Sequence, residues 1–167
     1  GLLAVKKPLV VLTPKSLLRS AAAASRTSEL ESGHFRTVLP DPSPPAAASR
    51  VLLCQGKLFY ELADRRAERG LDDVALLRLE QCYPFPTEAL GEELGRFPGA
   101  NVVWAQEEPG NMGAGRFVLW NLRDRLGLDA RPVWRPESAS PATGSLTLHR
   151  KEQSELLERA LSGLGNA

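Results

Sequence analysis

The chain has 167 residues, 43% of them apolar and 25% charged, the balance of a globular domain with a real core. Its net charge of +1 gives no bulk electrostatic case for nucleic acid or an anionic membrane surface. No apolar run approaches the length of a membrane span, and Cys54 and Cys82 are too few for a disulfide framework or a zinc knuckle.

The opening Gly1 to Val5 is apolar, but Lys6, Lys7 and Pro8 stop it too early for a signal-peptide core. The missing initiating Met points to a boundary inside a longer polypeptide. Pro8 to Leu12 is apolar and β-branched and reads as a buried strand. Thr13 with Pro14 behind it is a helix start, and the predicted helix runs through Leu17, Leu18 and the alanines 21 to 24. Phe35 to Leu39 is the second predicted strand. Residues 40–50 are rich in proline and alanine and read as a surface loop.

Val51 to Cys54 is the third strand, closed by Gly56. A helix over Lys57 to Arg69 sets Leu58, Phe59, Leu62 and Ala63 on one face and ends at Gly70. Val74 to Leu79 is the fourth strand. Thr87 caps the next predicted helix, with Leu90, Leu94 and Phe97 at helical spacing. Val102 to Ala105 is the fifth strand and Arg116 to Leu126 a helix. Pro132 to Arg135 is a short last strand, and Thr147 to Leu161 a closing helix with Leu156, Leu157, Ala160 and Leu161 inward. Strands joined by crossover helices require a parallel sheet covered on both faces. The expectation is one α/β domain over 1–167, with a mostly parallel sheet of five or six strands.

The chemistry on offer is sparse. Gly110, Gly113 and Gly115 lie between a strand and a helix, but not at dinucleotide-loop spacing, so a tight turn is the simpler reading. Glu107 and Glu108 are adjacent on an extended strand end. Their side chains point to opposite sides, which disfavours a carboxylate dyad and suits one acid paired with an arginine or with backbone N–H groups. Strand ends in open α/β sheets face the crevice where ligands and partners sit. His34 and His149 are the only histidines, and neither has the companions that a metal site or a triad needs; His149 reads as hydrogen-bonded and partly buried. Cys54 and Cys82 sit among apolar neighbours as reduced, buried thiols. Arg36, Lys57, Arg65, Arg66 and Arg69 are either a solvated face balanced by Glu61, Asp64 and Glu68 or an anion site for a phosphorylated small molecule.

Several segments, in order along nearly the whole chain, carry a resemblance. They are Lys7 to Arg19 (KPLVVLTPKSLLR), Phe35 to Leu39 (FRTVL), Gly56 to Leu62 (GKLFYEL), Arg78 to Gln81 with Pro84-Phe85-Pro86, Trp104 to Pro109 (WAQEEP) with Asn111, Gly113 and Ala114, and Pro141 to Gly144 (PATG) with His149. On these the chain resembles the C-terminal domain of the thiamine-diphosphate-dependent 2-oxoglutarate dehydrogenase first component. The resemblance implies a transketolase C-terminal-domain-like fold and a cytoplasmic homodimeric parent enzyme of the citric acid cycle. Such a parent decarboxylates 2-oxoglutarate and passes the succinyl group to a lipoyl acyltransferase component. It also implies that thiamine diphosphate and magnesium are held by upstream catalytic domains, with no catalytic, cofactor-binding or metal-binding residue in this piece. Gln106, Glu107, Glu108, Asn111 and His149 would then face an interface or the active-site entrance. In one branch of the family this domain carries an acetyl-coenzyme A site, whose positions match Ser20, Arg36 and Arg65. Glu68 stands where that branch tends to have a lysine, and an acid there would repel a coenzyme A phosphate. A free-standing nucleotide- or coenzyme A-binding module of the same fold, without enzyme activity, is the alternative in a different class.

Overall fold

The computed structural model describes residues 10–162, which divide into two compact units, up to His34 and from Phe35 onward. In the first unit, 3-10 turns at Lys15–Leu17 and Ala21–Ala23 precede a short helix α1, Thr27–Ser32. Here the sequence expectation fails. Pro8 and Leu9 lie outside the described residues, but Val10, Val11 and Leu12 form no strand and are exposed. An apolar β-branched run becomes a strand only where a neighbour offers a ladder, and local propensity cannot supply one. The helix expected from Thr13 is likewise broken, because Ser20 and Ala24, on either side of the second 3-10 turn, sit in extended backbone conformations.

The second unit is built on five strands: β1 (Val38–Leu39), β2 (Arg50–Cys54), β3 (Val74–Leu79), β4 (Asn101–Pro109) and β5 (Ala130–Arg135). Their order in the sheet is β1-β3-β2-β4-β5, all parallel except β1, which runs antiparallel to β3. The predicted mostly parallel sheet with helices on both faces is therefore present. The expected second strand shrinks to two residues, and Phe35 stands exposed ahead of it.

Four helices cover the sheet: α2 (Leu58–Glu68), α3 (Thr87–Gly95), α4 (Gly115–Leu126) and α5 (Leu146–Leu161). The inner strands are buried on both sides, yet the period of two still sorts their side chains. Leu52, Cys54, Val74, Leu76, Val103, Ala105 and Val133 meet Leu58 and Leu62 of α2 and Leu156, Leu157 and Leu161 of α5. Val51, Leu53, Ala75, Leu77, Leu79, Val102 and Trp104 meet Leu90 and Leu94 of α3 and Val118 and Leu122 of α4. Pro86, not Thr87, occupies the cap position of α3, and the Thr87 hydroxyl is buried without a partner among the described residues. The two halves of the chain wind in opposite directions from β2, so the strand order reverses between β2 and β4.

The loop over 40–50 is anchored rather than loose. Asp41 is buried inside it, paired with Arg66 of α2 and accepting hydrogen bonds from the backbone N–H groups of Leu76 (2.9 Å) and Ser43 (2.9 Å).

Candidate functional site

The carboxyl ends of β2 and β4 flank the reversal point, where open α/β sheets place their crevice. β4 continues past the core, so its alternation fixes which way each polar residue turns. Gln106 follows Trp104 toward α4, and Glu107 follows Ala105 toward α2 and α5.

Gln106 is buried and organises the glycine-rich turn from inside. Its Oε1 accepts from the Trp104 indole Nε1–H (3.0 Å) and from the Gly115 N–H that opens α4 (2.7 Å). Its Nε2 donates to the carbonyls of Met112 (2.7 Å), Pro109 (3.2 Å) and Glu108 (3.3 Å). The glycines are dictated by this packing. Gly113 sits at φ +71°, a left-handed conformation, and a Cβ on Gly115 would come within 2.6 Å of Gln106 Oε1. The turn reading holds, and the turn wraps a side-chain amide.

Glu107 pairs with Lys57 at the start of α2; the expected arginine partner is a lysine. Lys57 also reaches Glu61 one turn on (3.2 Å). Burial acts to lower the Lys57 pKa, but the hydrogen bond and charge of Glu107, seconded by Glu61, outweigh it and hold the ammonium above its usual range. From Glu61 the network crosses to α5, where Gln153 Nε2 donates to Glu61 (2.8 Å) and Gln153 Oε1 accepts from the buried Arg135 at the end of β5 (2.7 Å). Arg135 also meets Glu152 (3.2 Å) and donates to His149 Nδ1 (3.2 Å). Thr143 Oγ1 closes the chain on Glu152 (2.5 Å). Beside it lies a cleft of about 410 Å³ between Pro109, Arg135, Thr143, Leu148 and Glu152. Asn111 holds its far wall, bonding both to the carbonyl (2.9 Å) and from the N–H (3.1 Å) of Ser138. Glu108 points away and is exposed, as two successive strand residues must.

The 2-oxoglutarate dehydrogenase C-terminal family model matches residues 24–161. The chain belongs to that family. The "2-oxoglutarate dehydrogenase E1 component" of Cupriavidus necator is 45% identical over 164 residues, covering 95% of this chain and 17% of that protein. The component of the same name from Brucella anthropi is 44% identical over 174 residues, covering 93% and 17%. The chain thus spans about a sixth of the length of the curated relatives it matches. A solved "Split gene transketolase, inactive beta4 tetramer" overlaps 70% of this chain and 39% of its own at a TM-score of 0.48 and 16% identity.

The positions that the family resemblance singles out fall into three groups. Gln106, Glu107, Asn111 and His149 gather at the carboxyl edge of the sheet with exposed Glu108. Arg65 lies on α2, held by Glu158 (2.9 Å) and Glu68 (3.2 Å). Arg36 is exposed ahead of β1 in the same unit, while Ser20 belongs to the first unit. Of the basic residues on α2, Arg66 pairs with Asp41 and Arg69 with Glu158, so acids balance this face. Sequence reasoning missed Lys57 as the partner of Glu107, and it missed Arg135 and Gln153 altogether. The i,i+4 pair Lys57/Glu61 was the legible signal. Cys54 is buried as expected and its thiol is pushed up to about 12, by desolvation first and by Glu80 against the opposing charge of Arg78. Cys82 is only half-buried, and its thiol accepts from Gln55 Nε2 (2.8 Å).

Proposed function

We propose that this chain works as the bracing C-terminal domain of a thiamine-diphosphate-dependent 2-oxoglutarate dehydrogenase. The whole enzyme would decarboxylate 2-oxoglutarate and hand the succinyl group to the lipoyl acyltransferase component, as a cytoplasmic homodimer. Thiamine diphosphate and magnesium would be held by the other parts of such a chain. One observation carries this reading. At the carboxyl edge, where a fold of this kind would take a ligand, Glu107, Lys57, Glu61, Gln153, Arg135, Glu152 and Thr143 bond to one another, and only Arg135 Nε among their buried polar atoms lacks a partner in the described residues. An edge whose charges are tied to one another is a surface for a neighbouring domain to pack on, and Glu108, Asn111 and His149 would border that contact. The acetyl-coenzyme A site proposed at Ser20, Arg36 and Arg65 would have to compete with Glu158 and Glu68 for the Arg65 guanidinium.

A domain exchange tests the proposal. The Cupriavidus necator relative would be made without its C-terminal region, and again with that region replaced by this chain. The truncated form should lose 2-oxoglutarate-dependent ferricyanide reduction, and the chimera should recover it. A folded chimera that stays inactive, or turnover by the 167-residue chain alone, refutes the proposal.

A further inference from the structure

The layer formed by α3 and α4 leaves aromatic side chains in water. Phe117 and Trp120 of α4 are 39% and 60% exposed, and Tyr83, two residues before Phe85, is 81% exposed. Phe85 itself is buried, with its ring edge-on to that of Phe117 at a centroid distance of 6.2 Å. The helical period explains the exposure. Val118 and Leu122 turn one side of α4 to the sheet, so Trp120, between them in sequence, points outward. Phe117 is its neighbour on that outer side, three residues earlier. Aromatic side chains grouped in this way mark an interaction surface more than scattered apolar residues do.

The charges beside Trp120 are sorted by sign. Arg116 and Arg123, seven residues apart, share the flank of α4 that faces away from α3. They pair with Glu137 (2.6 Å) and Asp129 (3.6 Å), just after and just before β5. On the other flank Phe117 meets Phe85, just ahead of α3, and Asp124 follows seven residues on. α3 adds Glu88 and Glu92 to this side. These three acids are exposed and form no ion pair among the described residues. Gly91 of α3 lies beside Leu126 of α4, where an added Cβ would come within 3.2 Å. The two helices run parallel, so Glu88, three residues before Gly91, stands at the height of Arg123 along α4. Such a face is complementary to itself. A two-fold axis parallel to α4 sets Trp120 against its own copy and the acids of each chain against Arg116 and Arg123 of the other. An axis across the helix would match acid to acid.

We propose that the outer face of α3 and α4 is a docking surface for a second copy of this chain, paired about a two-fold axis parallel to α4 with Trp120 at its centre. Aromatic anchors in the middle and charges at the rim are the anatomy of a protein–protein interface. Two helices of 9 and 12 residues offer less area than a standard interface. The dimer is therefore weak, with Kd on the order of 10 µM. The contact is made by this domain alone, whatever else pairs the subunits of a larger enzyme. It lies on the opposite side of the sheet from α2 and α5, so it does not depend on the role proposed for their ion-pair network.

Sedimentation equilibrium on the 167-residue chain tests the proposal. The chain should pass from monomer to dimer as its concentration rises through that Kd. Trp120→Ala should raise Kd about tenfold or more while circular dichroism stays unchanged, because the indole lies outside the core. A charge exchange then identifies the surface. Glu88→Lys with Asp124→Lys makes one variant, and Arg123→Glu the other; all three positions are exposed. Each variant alone sets like charges against each other and should dimerise about tenfold more weakly. An equimolar mixture restores opposite charges at both contacts and should recover a Kd close to that of the wild type. A wild-type chain still monomeric at about 200 µM overturns the proposal and leaves the face to another domain of a longer polypeptide. A wild-type Kd for Trp120→Ala, or a mixture no tighter than its components, overturns it equally.

Discussion

Replacing Gln106 with leucine isolates what the glycine-rich turn depends on. Leucine nearly matches the volume but offers no hydrogen bond. The Trp104 indole N–H and the Gly115 N–H would both lose their acceptor inside a buried site. The carbonyls of Met112 and Pro109 would lose their donor. A buried polar group left unpaired costs about 1–3 kcal/mol, so the two stranded donors alone predict a loss of about 2–6 kcal/mol. That is a large share of a domain stability of about 5–15 kcal/mol. Gln106→Glu separates the two halves of the role. A carboxylate still accepts from Trp104 and from the α4 amino end, but it sets negative charge against carbonyls that need a donor. It should therefore fall between wild type and Gln106→Leu. Equilibrium urea unfolding, followed by tryptophan fluorescence and circular dichroism, measures both variants. A Gln106→Leu midpoint within about 0.5 kcal/mol of wild type at unchanged m would refute the buried-hub reasoning.

Asp41→Ala should cost about 3–5 kcal/mol, because it strands Arg66 and the Leu76 N–H in a buried setting; a surface-like loss below about 0.5 kcal/mol in urea melts would contradict it. The Cys54 thiol is raised from 9.0 to about 12 on folding, so the unfolded chain releases that proton first and stability must fall as pH rises through that window. The slope approaches about 1.4 kcal/mol per pH unit and should shrink in Cys54→Ala; equal slopes in the two proteins would count against it. Iodoacetamide should label half-buried Cys82 well before Cys54 in the native protein, and mass spectrometry showing the reverse order would contradict the assigned burial. A double-mutant cycle on Lys57→Met and Glu107→Gln should give a coupling of about 1–2 kcal/mol, above the usual exposed pair because both side chains are largely covered; a coupling indistinguishable from zero would make the pair incidental.

What could be read from sequence follows from the range of the forces involved. Strand β3 over Val74–Leu79 and helices α2, α4 and α5 were legible to within a residue or two, because each is a continuous apolar run or a clear 3.6-residue period. Val10 to Leu12 carried the same apolar signal and formed no strand, since pairing is a property of a neighbour. At the edge of the sheet, opposite orientations for Glu107 and Glu108 came directly from the strand period. The identity of the partner did not, because Lys57 is 50 residues away and no local rule joins them. Asp41 illustrates both sides at once. Its bond from the Ser43 N–H is the turn that a D-P-S sequence announces. The pair with Arg66 depends on how the loop crosses α2.

The same separation of local and distant signals bears on function. At the carboxyl edge each charge in the Lys57–Glu107–Glu61 and Arg135–Glu152 sets is met within the same unit. Such pairs contribute little to stability where water reaches them, and more once another surface excludes it. A network of this kind therefore gains strength when a neighbour covers it, which suits a surface built for docking.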